Sequence, residues 1–419
     1  MLDLLAAGGL TVFTIVSRMA YIPGGIMGFD GPDYINALKF DGTYSVPPPG
    51  NIGYVAIGWA FSLVLHDPVR AFAATAILFS VIGAVFTYLF AKLVLSRGPA
   101  LAVALATITS AMAWYHGVIM QSYIVWLAAL PTVGYYGLRL VRERTRGMVV
   151  GAALATGLFT IVRPDLVVFA GPLLGACLLL SRARPAWWVL AGAICAACCA
   201  VWFFSTAMVL GSVDRYLTLV RTKHEWHESF SASSRGLVEG FMRNTVKYAQ
   251  FMLWSAHLAL PLAAAGLLVY IAKARPHWRA WLIGAAWAGP SLYFALGIFM
   301  GNAGLILPAL PLVYIAAAAG AQALFRSAGA ATVVMGMIAA LNTLQFTLAP
   351  IPHARNQREV LLAHMFLGYS GTGIARMYTF QLADFGITDK SLKNTLKQFR
   401  DPDPVPVYPP DYDVRIGPR

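Results

Sequence analysis

The sequence predicts an all-α protein that crosses a membrane many times, and three observations predict it. Of its 419 residues, 58% are hydrophobic and only 12% are charged, against about 25% charged in a typical soluble domain. Mean hydropathy is +0.66. The apolar residues also come in runs of the length a bilayer-crossing helix needs, roughly 17–25 residues. No alternating strand pattern interrupts them, which excludes a membrane β-barrel.

The runs suited to spanning lie at about 4–26, 71–95, 98–114, 122–138, 148–162, 166–180, 186–210, 251–272, 280–299, 303–324 and 330–349. The first lacks a basic leader and begins beside the acidic Asp3, so it reads as a retained helix, not a cleaved signal. A further apolar segment, 52–65, is marginal in length. The Pro47–Gly50 turn precedes it and His66-Asp67-Pro68 follows, and both break structure. It reads as a helix lying against the outer membrane face. The expectation is therefore eleven spans within a transmembrane domain, 1–349.

The net charge of +13 does not point to nucleic acid. The basic residues mostly occupy short loops between apolar runs, which is the pattern that sets membrane topology and meets lipid headgroups. Arg139, Arg142, Arg144 and Arg146 form the densest basic loop and should be cytoplasmic. Stepping span by span puts Lys92/Arg97, Arg182/Arg184, Lys273/Arg275/Arg279 and Arg326 on the same side. The N-terminus joins them if 52–65 does not span. Three parts then face outward: a first loop (27–69), a long loop (211–250) and a C-terminal segment (350–419). Residues 350–400 are mixed and suit a small cap on the outer face. Residues 401–419, rich in Pro and Asp, should be extended. No internal repeat is visible, which weighs against the common transporter folds.

The four cysteines, Cys177, Cys195, Cys198 and Cys199, lie in apolar runs and read as small packing residues. Cys195 and Cys198 have a metal-like spacing, but no His or acid accompanies them.

The polar interval from Phe29 to Tyr54 is where chemistry concentrates. Asp30, Asp33 and Asp41 cluster at the first exit from the membrane, with Tyr34, Tyr44 and Tyr54. A chain this poor in acids has little reason to group them unless that face binds or reacts. Gly31-Pro32 sets a turn between Asp30 and Asp33. A carboxylate there suits general-base work on a hydroxyl. Asp33 also suits a helix N-cap before Tyr-Ile-Asn-Ala-Leu-Lys-Phe. Arg163 stands alone between apolar runs, beside Pro164 and Asp165. It is either a functional charge or half of a local pair with Asp165. The long loop carries Arg221-Thr-Lys-His-Glu-Trp-His-Glu228. Arg221, Lys223, His224 and His227 there form a cluster of cationic or titratable side chains. His224 and His227 have a metal-compatible spacing, but the run is not the zinc-protease His-Glu-x-x-His.

The chain resembles the GT-C superfamily of polytopic membrane glycosyltransferases, which includes protein O-mannosyltransferases, the lipid A aminoarabinose transferase and the oligosaccharyltransferase. The resemblance rests on the acidic first loop with Asp30 and Tyr34, a proline-rich step into a surface helix, and the spans Ala71–Leu95 and Gly98–Tyr115. It also rests on the small-residue run Gly151–Asp165 ending in Arg-Pro-Asp, and on Leu305–Pro311. It covers roughly residues 1–325 and is carried by order and topology, not by one motif. It implies transfer of a sugar from a polyprenyl-phosphate donor to an acceptor hydroxyl, with Asp30 as base and Asp33 second. The acceptor is a lipid, glycan or protein. Tyr34, Arg163, Asp165 and the Arg221–His227 set would meet substrate. Many members carry a second acid after the third span. Here Trp114–Tyr123 has none, and His116 and Gln121 are its polar candidates. No cofactor is expected, and a divalent metal is not favoured. The setting implied is the bacterial inner or plasma membrane, with the site facing outward. The rival readings are a lipid or glycan transporter or flippase, and a non-catalytic membrane subunit.

Overall fold

The computed structural model describes residues 1–22, 31–38, 50–229, 231, 236–273, 278–300 and 302–347. Asp30, Asp41, the prolines of the Pro47–Gly50 turn and the segment 350–419 lie outside the described residues, as do the side chains of Lys223 and His227.

Among the described residues the chain is all-helical. In order, α1 is Leu2–Met19, α2 Gly31–Ala37, α3 Ile52–Leu65, α4 Pro68–Ala91, α5 Arg97–Thr109 and α6 Ala111–His116. Then come α7 Ile124–Glu143, α8 Arg146–Val162, α9 Leu166–Leu180, α10 Pro185–Val209 and α11 Val213–Ser229. The last are α12 Leu237–Ala256, α13 Ala259–Lys273, α14 Trp278–Leu292, α15 Leu310–Phe325 and α16 Ala328–Thr347. Among the described residues six helical stretches are long and apolar enough to cross a bilayer: α1, α4, α7, α10, α14 with its extension to Ile298, and α16. Shorter apolar helices (α3, α5, α8, α9, α13 and α15) pack among them. The chain is an α-helical membrane protein.

Local chemistry sets several boundaries. His66 closes α3 in the left-handed region at φ 52. Asp67 then caps α4, accepting from the Val69 and Arg70 amides at 2.8 and 3.3 Å, and Pro68 begins the helix. The apolar run 98–114 is not one helix. Ser110 turns out of α5 with ψ 144 and its hydroxyl donates to the Thr107 carbonyl at 2.7 Å, after which α6 restarts. The run 303–324 likewise begins as a 3-10 turn at 303–306 before α15. The long polar interval 211–250 is largely helical, as α11 and most of α12. Pro290 lies near the end of α14, which widens into a π-helical stretch at 293–298.

Lipid tails are as apolar as leucine, so close packing and hydrogen bonds must hold such helices together. Buried Thr75, Ser80, Thr107, Thr132, Thr156 and Thr160 each donate to the carbonyl one turn back at 2.7–3.0 Å, which satisfies their hydroxyls inside an apolar bundle. Gly266 on α13 meets Gly320 on α15: a methyl group on Gly266 would sit 2.8 Å from the Gly320 nitrogen. Any larger side chain there would push the two backbones apart. In the core, Trp287 is fully buried against Phe90 at 4.8 Å, and its indole N–H donates to the Pro308 carbonyl at 2.8 Å.

The contacts define two ends. At one, Asp3 accepts from Tyr88 at 2.6 Å and Arg97 at 3.1 Å and pairs with Lys92. Arg142 donates to the Leu93 carbonyl at 2.5 Å. The N-terminus, the α4–α5 turn and the α7–α8 turn therefore share this basic end, as the charge pattern expects. At the opposite end, Arg18 donates to the Ile108 carbonyl near the close of α5. Helix α3 stays near that second end. Tyr54 stacks on Phe72 and Phe79, in the first half of α4, at 5.7 and 6.3 Å. Gly53 packs on the backbone of Ile161 and Val162, where α8 finishes. Fourteen residues make about 21 Å of helix, short of the roughly 30 Å hydrocarbon layer.

Candidate functional site

The site lies where α2, the start of α3, the α6–α7 turn and the α8–α9 turn meet. Its centre is the Ser122 hydroxyl. Tyr34 of α2 donates to it at 2.9 Å, Asn51 at 3.1 Å and Arg163 through Nη1 at 2.8 Å. The Asn51 amide also donates to the Tyr34 hydroxyl at 2.7 Å. Tyr34, Asn51 and Ser122 are all buried, so the groups that join these elements are out of bulk solvent.

Arg163 is held by a carboxylate, a hydroxyl and two aromatic faces. Its Nε donates to both Asp165 carboxylate oxygens at 2.9 and 3.0 Å. Its guanidinium lies over the rings of Tyr123 and Trp126, 4.5 Å from each centroid. The Trp126 indole N–H donates to Asp165 at 3.3 Å, so the acid is fixed as well. The Arg163 side chain is 11% exposed and that of Asp165 26%. Burial by itself lowers the Arg163 pKa, but the neighbouring Asp165 carboxylate reverses this, and the net shift is upward. Arg163 stays charged. The local pair with Asp165 is formed: the carboxylate occupies one edge of the fork, and no described residue accepts from Nη2.

A second polar group adjoins the first. The Gln121 carbonyl accepts from Tyr54 at 3.3 Å, and its side-chain oxygen accepts from Asn302 at 3.4 Å. Asn302 caps the 303–306 turn by accepting from the Gly304 amide at 2.7 Å. Gly304 lies against the Tyr123 ring, where a methyl group would come within 2.5 Å. His116 meets the edge of Tyr123 at 5.6 Å. It is 1% exposed, and neither ring nitrogen has a hydrogen-bond partner among the described residues. Burial, and then the positive charge of Arg163, push its pKa down to about 3, so it is a neutral imidazole at ordinary pH. A buried imidazole with both nitrogens open calls for water or a ligand.

The structure thus brings together Tyr34, His116, Gln121, Arg163 and Asp165. Asp33 is half-buried in the first turn of α2; that helix begins at Gly31, so Asp33 lies inside it and does not cap it. Asp30, the expected base, directly precedes α2 and lies outside the described residues. Arg221 and His224 are exposed on α11, which packs against α10. Helix α10 in turn supports the site from below: Trp202 donates to the Gly50 carbonyl at 2.8 Å, one residue before Asn51.

Asn51, Ser122, Tyr123, Trp126 and Asn302 were not singled out in the sequence. Uncharged residues in or beside apolar runs carry no signal of their own there. Lys247 and Asn244 were also passed over. Both are buried on α12, which packs on α6 and on the 303–306 turn, and Asn244 donates to the Leu296 carbonyl of the π-helical stretch at 3.2 Å. The available signal was Arg243 and Lys247 spaced one turn apart in an amphipathic helix. Among the described residues no three His, Cys, Asp or Glu side chains gather as a metal site. No protein-family model matches the chain, and no curated protein matches it significantly.

Proposed function

We propose that the chain is a membrane glycosyltransferase of the GT-C type, with eleven spans and its site on the outer face of a bacterial inner or plasma membrane. It moves a sugar from a polyprenyl-phosphate donor to an acceptor hydroxyl. The acceptor oxygen bonds to the anomeric carbon while the bond from that carbon to the phosphate oxygen breaks. The acceptor proton passes to Asp30, with Asp33 next to it in the chain, and polyprenyl phosphate leaves as the anion. No strong general acid is needed for that leaving group. What is needed is fixed positive charge near the departing phosphate.

One observation carries this reading: Arg163, preorganised by Asp165, Ser122, Tyr123 and Trp126, with Nη2 open, at the junction with α2. That junction directly follows the first acidic exit. Tyr34, Gln121 and neutral His116 supply hydrogen-bonding groups suited to hydroxyls. Lys247 on α12 is a further buried cation near α6, and the Arg221–His227 set stays in the proposal as outer-loop contacts.

The test is transfer itself. The purified protein in liposomes is given a radiolabelled polyprenyl-phosphate hexose or pentose, and release of polyprenyl phosphate is measured. Asp30→Asn should abolish release while donor binding persists. Release within a few-fold of wild type would move the base to Asp33. Movement of intact donor across the membrane without cleavage would select the transporter reading instead.

A further inference from the structure

A crevice of about 480 Å³ opens at the basic end, between the α4–α5 turn, α13 and α15. Val94, Leu95, Val269, Ala319 and Ala323 form its apolar walls, and Gln322 and Arg326 supply its polar part. It lies at the opposite end of the helices from the Arg163 site.

The cations around it differ in what holds them. Lys92 and Arg97 are bound to Asp3, Arg139 to Glu143, and Arg142 to the Leu93 carbonyl. Arg326 is exposed and makes no hydrogen bond or ion pair with any described residue, and neither does Gln322. Arg326 also sits in the left-handed region, at φ 52, immediately after α15. Glycine or asparagine takes that conformation without the Cβ clash. Arginine stands there at three turns of this chain, Arg144, Arg182 and Arg326, with φ of 52, 55 and 52. The outcome is a guanidinium held at a helix end, above an apolar slot, on the cationic side of a membrane protein.

We propose that this crevice binds one anionic phospholipid. Its phosphate sits on Arg326 and Gln322, and an acyl chain runs along Val94, Val269 and Ala319. Charge complementarity chooses the headgroup: the net positive end of the bundle attracts an anionic lipid and repels the ammonium of a zwitterionic one. The apolar walls choose a lipid over free phosphate, because a lone exposed guanidinium holds a small anion weakly while buried methylenes add affinity. The site is independent of sugar transfer.

The test uses the full chain, purified in detergent and stripped of lipid. Dioleoylphosphatidylglycerol, dioleoylphosphatidylcholine and glycerol 3-phosphate are titrated separately, and binding is read by native mass spectrometry and by the shift in unfolding temperature. Phosphatidylglycerol should bind with one tight equivalent, and the other two at least tenfold more weakly. Arg326→Gln should weaken that equivalent at least tenfold. Ala319→Trp should do the same by filling the slot from an exposed position, without loss of fold. Arg70→Gln, at the far end of α4, should leave it unchanged. Equal binding of the two lipids, an equal response to glycerol 3-phosphate, or undiminished binding in both crevice variants would overturn the proposal.

Discussion

The two ends of the bundle handle charge in opposite ways. At the basic end the cations are exposed or half-exposed, and several pair locally: Asp3 with Lys92 and Arg97, Arg139 with Glu143. Water and headgroups solvate them, so each contributes little to stability and its main effect is on orientation in the membrane. The site end has exposed charges too, such as Asp67 with Arg70, but Arg163 and Asp165 are largely enclosed, at 11% and 26% exposed. Arg163 needs a carboxylate, a hydroxyl and two aromatic faces to be held there. The contrast is between charges solvated at the surface, which set orientation, and a charge that the fold must enclose and satisfy.

Removing Arg163 should therefore have the largest effect. Arg163→Ala leaves Asp165 partly buried without its partner, at roughly 3 kcal/mol of stability. It should also slow sugar transfer on the order of 10²-fold. Arg163→Lys should restore little, because an ammonium cannot lie flat between Tyr123 and Trp126 or fork between Asp165 and Ser122. Initial rates of donor cleavage, with thermal unfolding as the control for folding, check both. Near-normal rates in the alanine variant would place Arg163 in the architecture alone.

An intermediate effect is expected from pH. The folded-state pKa of His116 lies near 3, below its ordinary value of 6.5. Above pH 6.5 both folded and unfolded chains hold it neutral, and it adds no pH dependence. As pH falls from 6.5 toward 3, the unfolded chain takes up a proton that the folded chain refuses, so stability declines across that window. His116→Gln keeps a polar side chain that cannot titrate and should flatten the decline. Unfolding midpoints at pH 7, 6 and 5 for both proteins measure it. Parallel curves would show that other groups carry the acid sensitivity.

The smallest effect should come from the basic end. Asp3→Asn weakens the links to Lys92 and Arg97, and its shift in unfolding temperature should be small and fall as salt is raised. A shift as large as that of Arg163→Ala would erase the contrast between the two ends.

Much of this protein was legible in the residues alone. Hydropathy and run length establish helices and a membrane, because a backbone in lipid must satisfy its own hydrogen bonds. The His66-Asp67-Pro68 break marks the end of α3, although α4 starts there at Pro68 and not at 71, and the arginine loops mark one end, because breakers and charges act over a turn or two. Arg163 stood out because an isolated charge between apolar runs is costly wherever the chain folds. What the tertiary structure alone decided is which distant polar groups meet. Ser122 is bonded by Tyr34, Asn51 and Arg163, from 88, 71 and 41 positions away. Gln121 and Asn302 are 181 apart. No periodicity encodes such pairings. They follow from how close small residues let helices approach, and from the requirement that a polar group taken out of water find a partner on whichever helix arrives.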